Sequence, residues 1–375
     1  MMDTDLRIDT KKKVPSLRFA GFDEEWEEKK LGEVFSFRTT NSFSRECLSH
    51  ESGEVKNIHY GDIHTKFRSL FDITKEAVPF INKDIPIQKI PVDTFCKEGD
   101  LIIADASEDY EDIGKCIEIV NLNNERVLAG LHTLQARPDL HEMYIGFSGQ
   151  MVKSNNIRRQ IEKIAQGSKV LSISTGRLAQ INISFPALPE QQKIASFLTA
   201  VDEKLQALKQ QKNLLEQYKK GMMQKIFSQE MRFKDDEGKE FEEWEMKKLG
   251  EVLIKNSKKN KNKKYNLVQS VSNKFGFINQ NEYFEDRVIA SKDLSNYYVI
   301  QKGNFAYNPS RIDVGSLAYK YDDAISVISP LYISFNANDN YLKDSFLLNL
   351  FTTQKFTRQM NSSFEGSVRN TLSYE

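Results

Sequence analysis

The chain has 375 residues, too many for one ordinary hydrophobic core, so two or more domains are expected. Lys and Arg together number 53, as do Asp and Glu, and the formal net charge of zero excludes a simple whole-chain polycation while leaving local basic patches open. No apolar run is long enough to span a bilayer, and the charged start MMDTDLRIDTKKKVP leads into no hydrophobic segment, so neither a membrane span nor a signal peptide is read.

Residues 1–13 read as a flexible tail. Cys47, Cys96 and Cys116 are scattered, with neither a disulfide framework nor zinc-ligand spacing, which is a cytoplasmic pattern. Residues 14–187 form the first expected domain. It opens with EEWEEKKLGEV at residues 24–34, and residues 242–252 repeat this as EEWEMKKLGEV with one change, Glu28 against Met246. A repeat of that fidelity at the period of a whole domain predicts two copies of one fold rather than a solenoid. Weaker echoes follow. The turn around Gly99 leads into an apolar strand, as does the turn around Gly303, and Asp112 and Gly114 match Asp313 and Gly315 in spacing. Amphipathic helical stretches at about 152–166 and 346–360 precede the turns holding Gly167-Ser168 and Gly366-Ser367. Each domain reads as α+β with a mixed, mainly antiparallel sheet.

Between the copies, residues 188–230 read as one long spacer helix. Ile194, Leu198, Val201, Leu205, Leu208, Lys212, Leu215, Lys219, Met222 and Ile226 recur at alternating steps of four and three, a heptad seam that is apolar apart from the two lysines. Pro189 suits the first turn, where its missing N–H costs nothing, and Glu190 suits the positive helix end. The helix would be about 60 Å long. A helix lying on its own domain's core would show a wider apolar face; this narrow stripe needs a second helix from this chain or another. Residues 231–375 form the second domain, which stops before any counterpart of that helix, so the chain reads as C-terminally truncated or as a natural fragment.

Three stretches of the first domain suit DNA contact, which needs bidentate readers for base edges and cations, hydroxyls or backbone N–H groups for phosphates. Lys56, Asn57, His59, Tyr60, His64, Lys66 and Arg68 interleave bases and aromatics around Gly61; the alternative is a solvated loop, and His59 taken alone is a structural histidine. Asp105, Ser107, Glu108 and Asp109 follow a strand and are rich in acceptors; the alternative is an acidic surface loop. Ser168 and Lys169 sit in a glycine turn. In the second domain Lys255, Lys258, Lys259, Lys261, Lys263 and Lys264 form a cationic run that reads as a mobile loop, either merely solvated or facing phosphates. Asn308, Ser310 and Arg311 follow a strand where the first domain has its acidic stretch, and Ser367, Arg369 and Asn370 make the closing turn.

No phosphate-binding G-x-x-x-x-G-K-[ST] loop is present. Asn308-Pro309-Ser310 resembles the N-P-P-aromatic segment of adenine methyltransferases, but Ser310 replaces the second proline and no glycine-rich cofactor loop accompanies it. Asp105, Glu108, Asp109, Glu111 and Asp112 could hold Mg²⁺, so a metal-dependent nuclease is one alternative; a coiled-coil adaptor without DNA contact is another.

From about Val14 to Glu375 the chain resembles the specificity subunit of type I restriction–modification enzymes. The resemblance rests on the repeated W-E-x-K-K-L-G-E-V opening, the G-S-x-x-x-x-x-S closing turn, and the F-P-A-L-P-E-Q-Q-K-I-A segment with the helix it begins. It implies two target-recognition domains, each reading half of a split double-stranded DNA site, spaced by two antiparallel helices that hold modification (methyltransferase) subunits in a complex that recruits restriction subunits. It also implies a non-catalytic chain with no cofactor or metal of its own, since S-adenosylmethionine, ATP and Mg²⁺ belong to the partner subunits. With the second helix absent, another copy of the chain or a modification subunit is expected on the seam.

Overall fold

The computed structural model describes residues 15–280, 291, 293–364 and 371–374. The tail at 1–13 and the expected contacts Ser367, Arg369 and Asn370 lie outside the described residues. The chain divides into two compact units, Met1–Gln210 and Gln211–Glu375, and the division falls within the helix Leu188–Phe227.

The first unit is built on a five-stranded sheet in the order Phe35–Arg38, Thr133–Pro138, Leu101–Ala104, Cys116–Asn121 and Leu70–Asp72. All neighbours are antiparallel except the last pair, which is parallel. A second, four-stranded sheet holds Val127–Ala129, Lys56–Ile58, Phe80–Ile81 and Leu48–Ser49. The central strand LIIA has no polar residue because both its faces are covered. Successive side chains alternate faces, so Leu101 and Ile103 enter one core while Ile102 and Ala104 enter the other.

The second unit repeats this frame. Its main sheet runs Leu253–Lys255, Ile333–Ala337, Phe305–Tyr307, Leu317–Tyr319, all antiparallel, which is the order of the first four strands above. Phe305 and Tyr307 face one core and Ala306 the other. The turn before the central strand is also duplicated. Gly99 and Gly303 have φ of 92° and 90°, a region open to glycine. Buried Asp100 accepts from the N–H of Lys97, and Asn304 accepts from that of Gln301, both at 2.8 Å. The repeated opening behaves differently in the two units. Glu27–Lys30 pairs antiparallel with Asn182–Phe185, whereas residues 245–248 form no strand. Each expected amphipathic helix is two short ones: Ser148–Val152 with Asn155–Ile164, and Asp344–Phe351 with Gln354–Ser362. In the second pair the break is a cap, where the Thr353 hydroxyl accepts from the N–H of Phe356.

The 40-residue helix Leu188–Phe227 is anchored at its start by the residues of the PEQQ segment. Arg18 donates to both oxygens of buried Glu190, at 2.7 and 2.6 Å. Gln191, wholly buried, donates to the carbonyls of Glu142 and Pro186 and accepts from the N–H of Tyr144. Ala195 is buried in the first unit's core and Ile194 packs against it, so this member of the heptad stripe lies on its own domain. From Val201 to Lys220 every residue is exposed, including Leu205, Leu208 and Leu215. Met222 and Ile226 are half-buried again, and Phe227 meets Trp244 and Phe346 within the second unit. Among the described residues no helix is long and apolar enough to cross a membrane.

One buried charge makes the first unit pH-sensitive. Glu118 is wholly buried on the central sheet, accepting from the N–H groups of Gly146 at 2.6 Å and Gly149 at 2.7 Å. Burial pushes its carboxyl up to about 7, against the pull of the two N–H groups. The folded state therefore favours the proton, and this stabilisation is full below the ordinary carboxylate range and is lost as pH rises through about 7. Urea unfolding at pH 5 and pH 8 should show a loss of about 3 kcal/mol in the wild type that is missing from the pH profile of Glu118→Gln. Parallel profiles for the two proteins would contradict it.

Candidate nucleic-acid interface

In the first unit the central strand Leu101–Ala104 ends at Asp105, and four separate segments meet there. The short helix Tyr60–Thr65 is capped by His59, whose Nδ1 accepts from the N–H of Gly61 at 3.2 Å. His64 of that helix places Nε2 3.1 Å from the carbonyl of Ala106, so Nε2 carries the proton. The Lys115 ammonium donates to the carbonyl of His64 at 2.6 Å. The strand Ala106–Ser107 pairs with Leu171–Ser172, and Gln166 bridges to Ser172, so the exposed tip with Ser168 and Lys169 projects beside Ser107. The last contributor is His132, held at φ 55°, which a non-glycine residue adopts at a cost. Its carbonyl accepts from the N–H of Asp105 at 3.1 Å, and its Nδ1 lies 3.3 Å from Asp105 Oδ1. The Tyr60 ring stands 5.3 Å from the His132 ring. Burial pushes the Asp105 carboxyl up from its ordinary value, and His132 opposes that shift.

This cluster gathers Tyr60, His64, Ser107, Ser168 and Lys169 from the expected set and leaves the others elsewhere. Asn57 is 0% exposed and its Oδ1 accepts from Asn41, so it is a buried structural residue and not a surface reader. His59 is a buried cap whose pKa is lowered by burial and by nearby Arg45. Lys56 is paired with Glu125 at 2.6 Å and lies over the Phe80 ring. Arg68 lies 3.6 Å from Glu76. Lys66 is bound to Asp62 at 2.8 Å, on the carboxylate that Arg45 also holds at 2.9 Å. Burial alone would raise the Asp62 carboxyl, but the hydrogen bonds from these two cations outweigh it and hold it below its ordinary value.

The second unit has the corresponding junction. Asn308 directly follows the strand Phe305–Tyr307, as Asp105 follows Leu101–Ala104, and Tyr332 directly precedes Ile333–Ala337, as His132 precedes Thr133–Pro138. Asn308 and Tyr332 line a cleft of about 110 Å³ with Ser270, Ser272, Asn273 and Arg311. The Asn308 side-chain oxygen accepts from the N–H of Ser310 at 3.0 Å, which shapes the turn and turns Ser310 and Arg311 outward. The Arg311 guanidinium has no hydrogen bond or ion pair among the described residues. The cationic run is more ordered than a free loop. Asn260 N–H donates to Tyr297 and Val299 N–H to Lys258, so Lys258, Lys259 and Lys261 are exposed along a tethered edge. Among the described residues no three His, Cys, Asp or Glu side chains are grouped to hold a metal ion; Asp105 faces His132, and Asp112 is held by Lys115 at 3.1 Å.

A sequence profile of the family "Type I restriction modification DNA specificity domain" matches residues 23–217, just over half of the chain. The chain belongs to this family. A Methanocaldococcus jannaschii protein named for the type I restriction enzyme MjaX specificity subunit is 31% identical over 160 residues, which are 40% of this chain and 37% of that one. The type I restriction enzyme MjaIX specificity subunit of the same organism is 27% identical over 111 residues, 28% of this chain and 26% of its own. The chain thus spans between about a quarter and a little over a third of the length of these curated relatives. The crystal structure of the type I restriction–modification system S subunit from M. genitalium aligns with a TM-score of 0.51 at 14% identity, covering 92% of this chain and 81% of that one. At that identity the likeness is one of fold.

In this specificity-domain protein the sequence reading missed His132, Tyr332, Arg45 and Asp62. Asp62 lies within the Lys56–Arg68 stretch but is passed over as an acid among bases, and the other three stand in no motif. Their one available signal is position, since His132 and Tyr332 each stand immediately before the strand that pairs with the central one. Arg45 and Asp62 are brought together only by folding. Removing both Arg45 and Lys66 would leave the buried Asp62 charge unpaired and should cost about 3 kcal/mol in urea unfolding. The further change Asp62→Asn should recover part of that loss; equal stability for all three proteins would remove these ion pairs from the account.

Proposed function

We propose that this chain is a non-catalytic DNA-reading subunit of a type I restriction–modification complex, with each unit reading one half of a split, asymmetric double-stranded site. The observation that carries the reading is the duplicated junction, which presents Tyr60, Asp105 and His132 in one unit and Asn308, Arg311 and Tyr332 at the corresponding place in the other. A shared frame with unlike side chains suits two related tasks on unlike sequences. Ser168, Lys169, Lys258, Lys259 and Lys261 supply cations and hydroxyls suited to phosphates. The target-recognition domains are assigned to residues 14–187 and 231–375 and the spacer helix to 188–230. The exposed seam from Val201 to Lys220 is the surface for modification subunits, or for a second copy of this chain, in a complex that also takes restriction subunits. S-adenosylmethionine, ATP and Mg²⁺ act on those partners, and the complex works in the cytoplasm.

Mapping N6-methyladenine in the genome of cells that co-express this chain with its cognate modification subunit tests the reading. A new split motif with two different halves is expected, and two identical halves or no new motif would contradict it. Arg311→Ala should relax specificity in one half only, with stability within about 0.5 kcal/mol of wild type because the exposed guanidinium has no partner among the described residues. Binding of the complex to its site should weaken steeply with salt, as counterion release requires.

A further inference from the structure

We infer that Asp105 reads an exocyclic amino group, cytosine N4 or adenine N6, in the half-site of the first unit, and that His132 is the positioning residue that aims it. This rests on the DNA-reading role proposed above and adds the chemical class of base recognised. The Asp105 side chain is 26% exposed, so it is partly removed from water while still reachable. His132 engages one oxygen, Oδ1, and Oδ2 has no partner among the described residues. A partly desolvated carboxylate oxygen gains from a donor and has no use for another acceptor. Lys115 does not supply that donor, because it is held by Asp112 and the carbonyl of His64. The backbone aims the group from both sides: Asp105 N–H donates to His132, and Ile173 N–H donates to the carbonyl of Asp105 at 2.9 Å.

An ionised carboxylate repels phosphate and finds no donor on guanine O6 or N7 or on thymine O4. In the major groove it accepts only from the amino groups of cytosine and adenine. The Tyr60 ring packs edge-on against the His132 ring that holds the carboxylate, with centroids 5.3 Å apart. The corresponding place in the second unit has the opposite character. Arg311 offers only donors there, beside Asn308 in the cleft, which suits acceptor-rich edges such as guanine O6 and N7. The two half-sites therefore differ in the kind of edge presented.

The test uses the complex with its modification subunit and duplexes in which each cytosine or adenine of the mapped motif is replaced, one at a time, by an analogue lacking the exocyclic amine. One position in one half should weaken wild-type binding about ten- to a hundredfold. Asp105→Ala should lose that sensitivity, and its genome methylation should become degenerate at the same position with the other half unchanged, whereas Asp105→Asn, which keeps one acceptor oxygen, should retain it in weakened form. His132→Ala should keep the same base preference with reduced discrimination. Sensitivity that persists in Asp105→Ala, or no sensitive position in wild type, overturns the assignment while a normal split motif leaves the DNA-reading role standing. A wild-type complex that yields no motif and no specific binding overturns the role itself.

Discussion

A strand buried on both faces is the constraint on which each unit depends. Leu101–Ala104 and Phe305–Tyr307 lie between two apolar layers, and all their side chains are buried. The first residues released from that burial are Asp105 and Asn308, and both are polar. Both strands begin at the same kind of turn, with a left-handed glycine and a buried Asp or Asn that accepts from the backbone. The frame is therefore rigid up to the point where the two units diverge, and divergence there leaves the core undisturbed.

The same separation of frame and function applies to the polar residues of the first unit. Lysines and histidines that look alike in a linear stretch have different roles once folded. Lys56 and Lys66 neutralise carboxylates, His59 caps a helix, and Asn57 is sealed in the core. Tyr60 and His64 remain at the junction because the His64 side chain binds the carbonyl of Ala106 and the His64 carbonyl accepts from Lys115. At the same helix the buried Asp62 carboxylate holds Arg45 and Lys66, so those two cations serve the fold.

The long helix shows a third use of burial. Its first turns are locked to the first unit by the hidden side chains of Glu190 and Gln191, which explains why the segment that begins it is rich in amides and carboxylates rather than apolar residues. Beyond Val201 the stripe of Leu205, Leu208 and Leu215 is open to solvent, an arrangement that favours association with another helix.

What the sequence by itself determined is periodic or repeated: the α+β class, two copies of one unit, the glycine turns before the central strands, and a 40-residue helix with a narrow apolar seam. These follow from local rules of spacing and backbone freedom, so a linear reading recovers them. It also placed Asn308 and Arg311 correctly beside the end of a strand. What only the tertiary structure decided is which polar residues are free. Salt bridges such as Arg45 with Asp62, the break within each short helical stretch, and the approach of His132 to Asp105 depend on contacts between residues far apart in the chain. No spacing rule encodes those contacts, because they are set by how the sheets pack and by which charges that packing removes from water.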